Sequence, residues 1–136
     1  MANTTFTGPV RSENGFEDVT KNATTGVFTT NATYNATITG GVQALSGAGA
    51  ADLTNLVTEL TTAAGAAAVT LADGSTSGQV KIINHIVDGG GTATVTPVTF
   101  ANGTTIAFDA VGESVTLVWN STIGWVATSV QGATIA

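Results

Sequence analysis

The sequence predicts an all-β protein: a small antiparallel sandwich or barrel-like meander with an extended N-terminal arm. Residues 66–131 form short runs of β-branched and aromatic residues, and a turn signal closes each run. The runs recur about every 8–12 residues, the spacing expected of sandwiches and barrels, and predict about five or six strands. Thr makes up roughly a fifth of the chain, and Thr favours strands while hydrating their outer face without charge.

Residues 1–18 are predicted to form the extended arm. The apolar residues Phe6, Pro9, Val10 and Phe16 are spaced among polar residues with no helical period. Pro9 has no N–H and favours an extended conformation of the preceding residue. Terminal segments of this kind often become ordered only against a partner, so we expect the arm to dock on one; a frayed terminus is the alternative.

A single β domain is predicted over residues 19–136. Its first part, rich in Thr and Asn, predicts a turn at residues 22–26 and two short strands over 26–30 and 32–39. A Gly/Ala-rich stretch at about residues 40–50 then predicts a flexible connection, the one plausible internal boundary.

Residues 52–62 fit two kinds of structure. Their leucines and Val57 have helical spacing, and Asp52 could cap a helix. The threonines in the same stretch are β-branched and form helices poorly, and the residues also alternate as in a strand. We favour a strand centred on residues 57–61.

The remaining runs predict the meander. Residues 80–87 are apolar on both faces, which indicates a central strand with Val80, Ile82 and Ile86 on one side and Lys81, Ile83, His85 and Val87 on the other. Pro97 cannot donate to a ladder and therefore indicates an edge or a bulge. Val115, Leu117, Trp119 and Trp125 are predicted to face the core. Turns are predicted at residues 73–78, 88–91, 102–103, 109–113 and 120–124.

Charge and hydropathy limit the classes of partner. Charged residues make up 9% of the chain, against about 25% in an ordinary soluble domain. The net charge is −6 with three basic residues, so we expect no nucleic acid and no membrane as partner, because Lys and Arg make the contacts to phosphate. No apolar run reaches the ~20 residues that span a bilayer, and the start of the chain does not resemble a secretory signal.

The same composition predicts assembly. Mean hydropathy is +0.33, and a charge-poor, apolar chain is expected to bury surface in an interface. A monomer with a Thr-covered surface is the alternative. There is no Cys, which excludes disulfides and thiolate metal sites.

Candidate catalytic and metal-binding residues are few. His85 is the only histidine, and because no nucleophile motif accompanies it, we expect a packing or interface role. The turn carboxylates could ligate Ca²⁺, but they fall one per turn, which favours Asx-turn chemistry. These are Asp73, Asp88, Asp109 and Glu113. We expect no enzymatic activity, no cofactor and no metal.

Trp119 and Trp125 allow two interpretations. Two indoles near a turn can form a sugar-binding platform. In alternating strands, such residues are more often part of the core and its rim, and we favour that role.

Several motifs resemble a recurring pattern in small structural proteins of tailed bacteriophages, notably marine and cyanobacterial ones. The first part of the pattern is LADG at residues 71–74, GQVKII at 78–83 and GTATVTP at 91–97. The second part is NGTTIAF at residues 102–108 and VGESVTLVW at 111–119. The opening MANTTFTGPVR is similar to the start of such virion proteins. The resemblance covers most of the chain except about residues 19–49.

This resemblance implies a capsid decoration (cement) protein, a small β-rich virion protein that is usually trimeric. Such a protein binds the outer surface of the head and holds neighbouring major-capsid subunits together. The implied partners are the major capsid protein and two further copies of the chain in a homotrimer. The capsid-binding arm would use Phe6, Pro9, Val10, Arg11 and Phe16. A tail-fibre or receptor-binding β module is the alternative, with glycan binding near the two tryptophans.

Overall fold

A computed structural model describes residues 16–22, 24–34 and 41–136 of the chain. These residues form strands, turns and loops and contain no helix, which confirms the all-β class. They belong to two compact units, with the boundary between Thr37 and Ile38.

The first unit contains the antiparallel hairpin of β1 (Phe16–Lys21) and β2 (Phe28–Tyr34). The predicted turn at 22–26 is confirmed: Asn22 Oδ1 accepts hydrogen bonds of 2.9 Å from the backbone N–H groups of Thr24 and Thr25. β2 is continuous over Phe28–Tyr34, so the predicted break between the strands at 26–30 and 32–39 is wrong, and residues 35–39 of the second predicted strand lie outside the described residues. Because β1 begins at Phe16, the predicted arm boundary at residue 18 lies within a strand.

The second unit contains ten strands in two five-stranded sheets. Sheet 1 has the order β11-β10-β7-β5-β3, and sheet 2 has the order β12-β9-β8-β6-β4. The strands are β3 (Val42–Ser46), β4 (Gly49–Ala51), β5 (Val57–Thr61), β6 (Ala67–Leu71), β7 (Val80–Val87), β8 (Ala93–Pro97), β9 (Ile106–Phe108), β10 (Ser114–Asn120), β11 (Gly124–Gln131) and β12 (Thr134–Ile135).

The chain alternates between the two sheets from β3 to β8. The pairs β3–β4, β5–β6 and β7–β8 are successive rungs, and the strands of neighbouring rungs pair in parallel within each sheet. Strands β9 to β12 then add antiparallel neighbours. The predicted sandwich is confirmed as two open, mixed sheets, whereas the expectation of a wholly antiparallel meander is wrong. The meander expectation fails because the turns at 73–78 and 88–91 lead the chain across to the other sheet.

Several element predictions are confirmed. β5 is the strand predicted at 57–61, and β7 is the predicted central strand, third of five in sheet 1. The turn at 102–103 lies between the antiparallel strands β8 and β9, and the turn at 120–124 joins β10 to β11. Val87 departs from its predicted face and is exposed, because the register between β5 and β7 shifts at Leu60 and Thr61.

The Gly/Ala-rich stretch at 40–50 forms β3 and β4 instead of a flexible connection. Its small residues have a packing role. A Cβ added at Gly49 would lie 2.8 Å from Leu45 Cδ1, so the glycine lets the two strands of the first rung approach each other closely.

Pro97 occupies a place where its missing N–H leaves no gap in the ladder. The Val98 N–H donates to the Leu71 carbonyl on β6. Because successive residues of a strand direct their backbone groups to opposite sides, the backbone groups of Pro97 point toward the β9 side. The pairing of β8 with β9 ends at Val95 and Ile106. The predicted local edge is therefore confirmed.

The core lies between the two sheets and is built from alternate residues of nearly every strand. Burial of such aliphatic and aromatic side chains contributes about 1.5–3 kcal/mol each. The apolar side chains that are at most 1% exposed are Leu60, Val69, Leu71, Ile83, Ala93, Val95, Ile106, Phe108, Val115, Leu117 and Trp125.

Candidate functional site

The outer face of sheet 1 carries an exposed apolar surface, which we call the apolar patch. Its members are β-branched and come from all five strands of the sheet. They are Val42, Val57, Val80, Ile82, Val118 and Val126.

The register of the strands makes the patch continuous. In one row Val80 lies opposite Val118, which lies opposite Val126. In the next row Ile82 lies opposite Val57, which lies opposite Val42. Val42 is 57% exposed and Val80 38% exposed, whereas the other four side chains are half-buried.

The outer face of sheet 2 has a different chemistry. One row across it is Ala50, Thr70 and Thr96. A second row contains Ala68, Thr94 and Ala107. These side chains are small, and half of them are threonines, whose hydroxyl groups suit a solvated sheet face. Val and Ile on sheet 1 therefore mark its outer face as the candidate assembly surface, because contiguous exposed apolar area typically indicates an interaction site.

Lys81 lies on the inner face of β7 and is 1% exposed. Its Nζ donates a 2.9 Å hydrogen bond to the Asn55 carbonyl oxygen. The Asn55 backbone N–H and side-chain amide in turn donate to the two carboxylate oxygens of Asp52, at 2.7 and 2.8 Å. Lys81 therefore fastens the β4–β5 loop to the core. The signal for this role in the sequence is a lone lysine at an inward position of a buried strand.

Burial and the charge of the partner shift the pKa of Lys81, and likewise that of Asp52, in opposite directions. Burial lowers the pKa of Lys81, and the Asp52 charge raises it by a smaller amount. For Asp52, partial desolvation raises the pKa, but hydrogen bonds from Asn55 and Thr54 and the Lys81 charge together lower it below its usual value. The carboxylate is therefore the favoured form of Asp52 in the folded protein.

His85 is 1% exposed and connects three parts of the sandwich. Its Nδ1 lies 3.0 Å from the Ala110 carbonyl oxygen, and its Nε2 lies 3.3 Å from Thr62 Oγ1. Because a carbonyl only accepts, Nδ1 carries a proton, and in the neutral ring Nε2 accepts from Thr62. Thr62 is 3% exposed. The Thr62 hydroxyl and the His85 imidazole resemble a catalytic nucleophile and its base. Both groups are enclosed by the core, so we assign His85 a packing role.

The turn carboxylates bind nearby hydrogen-bond donors in their own or neighbouring loops. Asp88 Oδ1 accepts from the Gly90 N–H at 2.7 Å, as an Asx turn requires. Asp73 Oδ2 accepts from the Thr99 hydroxyl at 3.1 Å. Within the part of the chain that the structure describes, no three His, Cys, Asp or Glu residues are grouped as metal ligands.

Glu113 closes the loop between β9 and β10. Its Oε2 accepts from the backbone N–H groups of Asp109 at 2.6 Å and Ala110 at 3.2 Å. Partial desolvation raises the pKa of Glu113, but these hydrogen bonds and the nearby His85 together lower it below its usual value. This carboxylate therefore has a structural role in the loop.

Trp119 and Trp125 form an edge-to-face pair with ring centroids 5.4 Å apart and an interplanar angle of 62°. Trp125 is fully buried, and its Nε1 donates a 2.9 Å hydrogen bond to the Ala72 carbonyl oxygen. Trp119 is 7% exposed. The sugar platform considered from the sequence is therefore wrong, because both indoles project from the inner face of sheet 1 into the core.

The candidate arm residues Phe6, Pro9, Val10 and Arg11 lie outside the described residues. Phe16, the fifth, is the first residue of β1. The capsid-binding role of these residues stays a prediction.

Among residues 16–22, 24–34 and 41–136, no helix has the length and apolar character needed to cross a membrane. Comparison of the chain with protein-family models and with curated proteins gives no match.

Proposed function

We propose that the protein is a decoration (cement) protein of a tailed-phage virion. It binds the outer surface of the capsid and stabilises contacts between major-capsid subunits. The observation that carries the proposal is the apolar patch: a continuous row of Val and Ile on a sheet face that is otherwise open to solvent. The resemblance of the chain to small phage structural proteins supplies the identity of the partner.

The use of polar groups within the sandwich supports a binding role over a catalytic one. Lys81, His85 and Thr62 are at most 3% exposed and bond to groups of the same unit. In the described ranges, the carboxylates of Asp73, Asp88 and Glu113 accept hydrogen bonds from neighbouring backbone and hydroxyl groups. Within the described residues, the outer face of sheet 1 offers a partner neighbouring Val and Ile side chains from all five strands.

Two contacts would act together in the proposed mechanism. The apolar patch buries β-branched side chains against the capsid, and the arm lies along a neighbouring subunit, where it can add a strand to an exposed sheet edge. In the proposed homotrimer, three such arms raise the effective concentration of each contact, so individually weak contacts produce tight binding.

The alternative function, a tail-fibre or receptor-binding module, draws less support. A glycan site normally presents aromatic rings to solvent, whereas Trp119 and Trp125 are at most 7% exposed. We therefore favour decoration.

Cosedimentation with heads tests the proposal. Purified protein is added to heads of the phage that encodes the chain, prepared without this protein. The patch variant replaces Val80, Ile82 and Val118 with Thr, which keeps β-branched side chains on the strands. The control replaces Val98 and Val111, which are 72% and 61% exposed and lie outside the patch, with Thr.

The wild-type protein and the control are expected to bind heads saturably, and the patch variant to bind at least about tenfold more weakly, as for a central cluster of contacts. If the patch variant binds heads as tightly as the wild type, the apolar patch does not contribute to binding. A wild-type protein that does not bind heads would refute the decoration role.

A further inference from the structure

We propose that the edge of sheet 1 is a pairing site for a second copy of this chain, with β3 of one copy antiparallel to β3 of the other. The two sheets then form one continuous sheet across a two-fold axis. The contact does not depend on the proposed function, because it rests on the backbone and side chains of β3 and the residues around it.

The hydrogen bonds at the two ends of β3 show which of its backbone groups point toward β5 and which point away from it. The Val57 N–H donates to the Gly41 carbonyl, and the Gly47 N–H donates to the Thr61 carbonyl. Since bonding alternates along a parallel pair, residues 41, 43, 45 and 47 bond to β5. The N–H and C=O groups of Val42, Ala44 and Ser46 therefore point away from β5. Within the described residues, no strand lies beyond β3 in sheet 1.

The edge of sheet 2 at the same end is closed. There the Gln43 side chain occupies the position of a further strand: its Nε2 donates to the Ala50 carbonyl at 2.8 Å, and its Oε1 accepts from the Asp52 N–H at 2.9 Å. Thr58 Oγ1 also donates to Gln43 Oε1, at 2.8 Å, and holds the amide in place. The two edges differ, and only that of sheet 1 offers a row of donors and acceptors.

The residues of β3 are not of the kinds that protect an edge strand. Its sequence, Val-Gln-Ala-Leu-Ser, contains no charged residue and no proline. The side chains of Val42, Ala44 and Ser46 are exposed, so the strand is accessible from the outer face. Natural edge strands that must stay unpaired usually carry Lys, Pro or a bulge, so a neutral, regular edge indicates that pairing is permitted.

The strand is complementary to itself. Antiparallel pairing centred on Ala44 places Val42 opposite Ser46 of the second copy and the two Ala44 residues opposite each other. The three residues whose backbone groups point away from β5 then all lie in hydrogen-bonded pairs. Ala44, which has the smallest side chain of the three, lies at the two-fold axis. Such an isologous contact is the commonest form of self-association.

Charge does not oppose a second copy of this chain as the occupant, even though the chain carries a net charge of −6. The acidic residue nearest in register is Glu59 on β5, opposite Ala44. Two such glutamates would be separated by three strand spacings, about 14 Å. That distance exceeds the Debye length of about 8 Å at physiological ionic strength, so their repulsion is largely screened.

Disulfide trapping tests the pairing, because the chain has no native cysteine. The variant Ala44→Cys places one thiol at the two-fold axis. The matched control is Ala50→Cys, an exposed alanine on the edge strand β4, whose carbonyl is already bonded to Gln43. Both proteins are oxidised under identical mild conditions and run on non-reducing gels, which report covalent dimers whatever other assembly is present.

Ala44→Cys is expected to form a covalent dimer as its main product, because hydrogen-bonded pairs have Cα atoms about 5.5 Å apart, within disulfide range. Ala50→Cys is expected to form at least about tenfold less. No dimer from Ala44→Cys, or equal dimer from both variants, would overturn the proposal. Loss of head binding by the wild type would not affect this result, so the two proposals fail independently.

The register is tested by mixing two variants. A mixture of Val42→Cys and Ser46→Cys proteins is expected to give the mixed disulfide dimer, whereas each variant alone places its thiols about 13 Å apart, from four residues at about 3.3 Å each. Equal yields from the mixture and from either variant alone would contradict antiparallel pairing. Ala44→Lys places like charges opposite each other and is expected to abolish the doubling of mass with concentration that the β3 contact produces, while assembly through other surfaces remains. Ala50→Lys is its control, and an unchanged doubling of mass in Ala44→Lys would also contradict the contact.

Discussion

The side-chain amide of Gln43 donates a 2.8 Å hydrogen bond to the carbonyl oxygen of Ala50, and this bond closes the edge of sheet 2. The same carboxamide accepts from the Asp52 N–H and from the Thr58 hydroxyl. One side chain thereby satisfies two backbone groups that would otherwise form an open strand edge. The first rung is therefore stabilised by a side chain of its own strand β3.

We expect Gln43→Ala to lower the free energy of unfolding by about 1–3 kcal/mol, since it leaves backbone and hydroxyl groups without their partner. Urea denaturation measures the loss. Gln131→Ala, at an exposed position near the end of β11, is the control, and we expect it to change stability by less than about 0.5 kcal/mol. Equal effects of the two substitutions would contradict the role assigned to Gln43.

Lys81 gives the stability of the protein a specific dependence on alkaline pH. Burial lowers the pKa of Lys81 below its model-compound value of 10.5. Between the folded-state pKa and 10.5, the unfolded chain binds more protons than the folded chain, so this group adds stability as the pH rises. We therefore expect the difference in unfolding free energy between wild type and Lys81→Met to shift in favour of the wild type on going from about pH 7.5 to about pH 10.

Lys81→Met is the suitable reference because it keeps an unbranched apolar stem of four atoms and removes the titrating amine. Urea denaturation of both proteins at each pH gives the difference directly, and the titrations of all other groups cancel. A difference that stays constant or moves in favour of Lys81→Met would show that the pKa of Lys81 is not lowered in the folded protein.

Gly91 is required by a close approach of two loops. A Cβ at Gly91 would meet the backbone carbonyl oxygens of Gly65 and Ala63, whereas a Cβ at Gly65 would enter open space. We expect Gly91→Ala to destabilise the protein by about 1–3 kcal/mol, as overpacking does. We expect Gly65→Ala to be neutral or stabilising by up to about 1 kcal/mol. Thermal unfolding of the two variants measures both; a Gly91→Ala protein as stable as Gly65→Ala would contradict this account of the loop contact.

Much of the fold could be predicted from the sequence because strand formation depends on local patterns. Alternation separated the two faces of β7 as far as His85 and identified the inward residues of β10, and the β-branched threonines identified β5 correctly as a strand. The sheet to which each strand belongs was not predictable in the same way. A turn such as 88–91 carries the same glycines whether the chain returns along one sheet or crosses to the other. For that reason the parallel rungs were mistaken for a meander.

The candidate site was predicted only in part. Low charge and positive hydropathy predicted an apolar surface, but its position depends on which sheet face remains uncovered. Gln43 and Lys81 were missed as structural residues because their partners, Ala50 and Asn55, become neighbours only after the first rungs stack. The turn carboxylates were interpreted correctly where the partner is local, as at Asp88 and Gly90.

The N-terminal arm is expected to contribute to capsid binding and not to the folding of the second unit. Deletion of residues 1–15, which stops before β1, is predicted to leave the cooperative unfolding of the sandwich unchanged and to abolish binding to heads. Tryptophan fluorescence reports the fold, because Trp119 and Trp125 are both in the core, and cosedimentation reports binding. Retained binding by a folded, truncated protein would exclude the arm from the mechanism.

Cryo-electron microscopy of heads incubated with the purified protein tests the decoration proposal most directly. Heads prepared without the protein are the reference, and the difference map shows where added density lies. The account predicts sandwich-sized density at symmetry-related positions on the outer surface, in contact with neighbouring major-capsid subunits and with the outer face of sheet 1 toward the capsid. Heads that remain bare at saturating protein, or density confined to the tail, would contradict it.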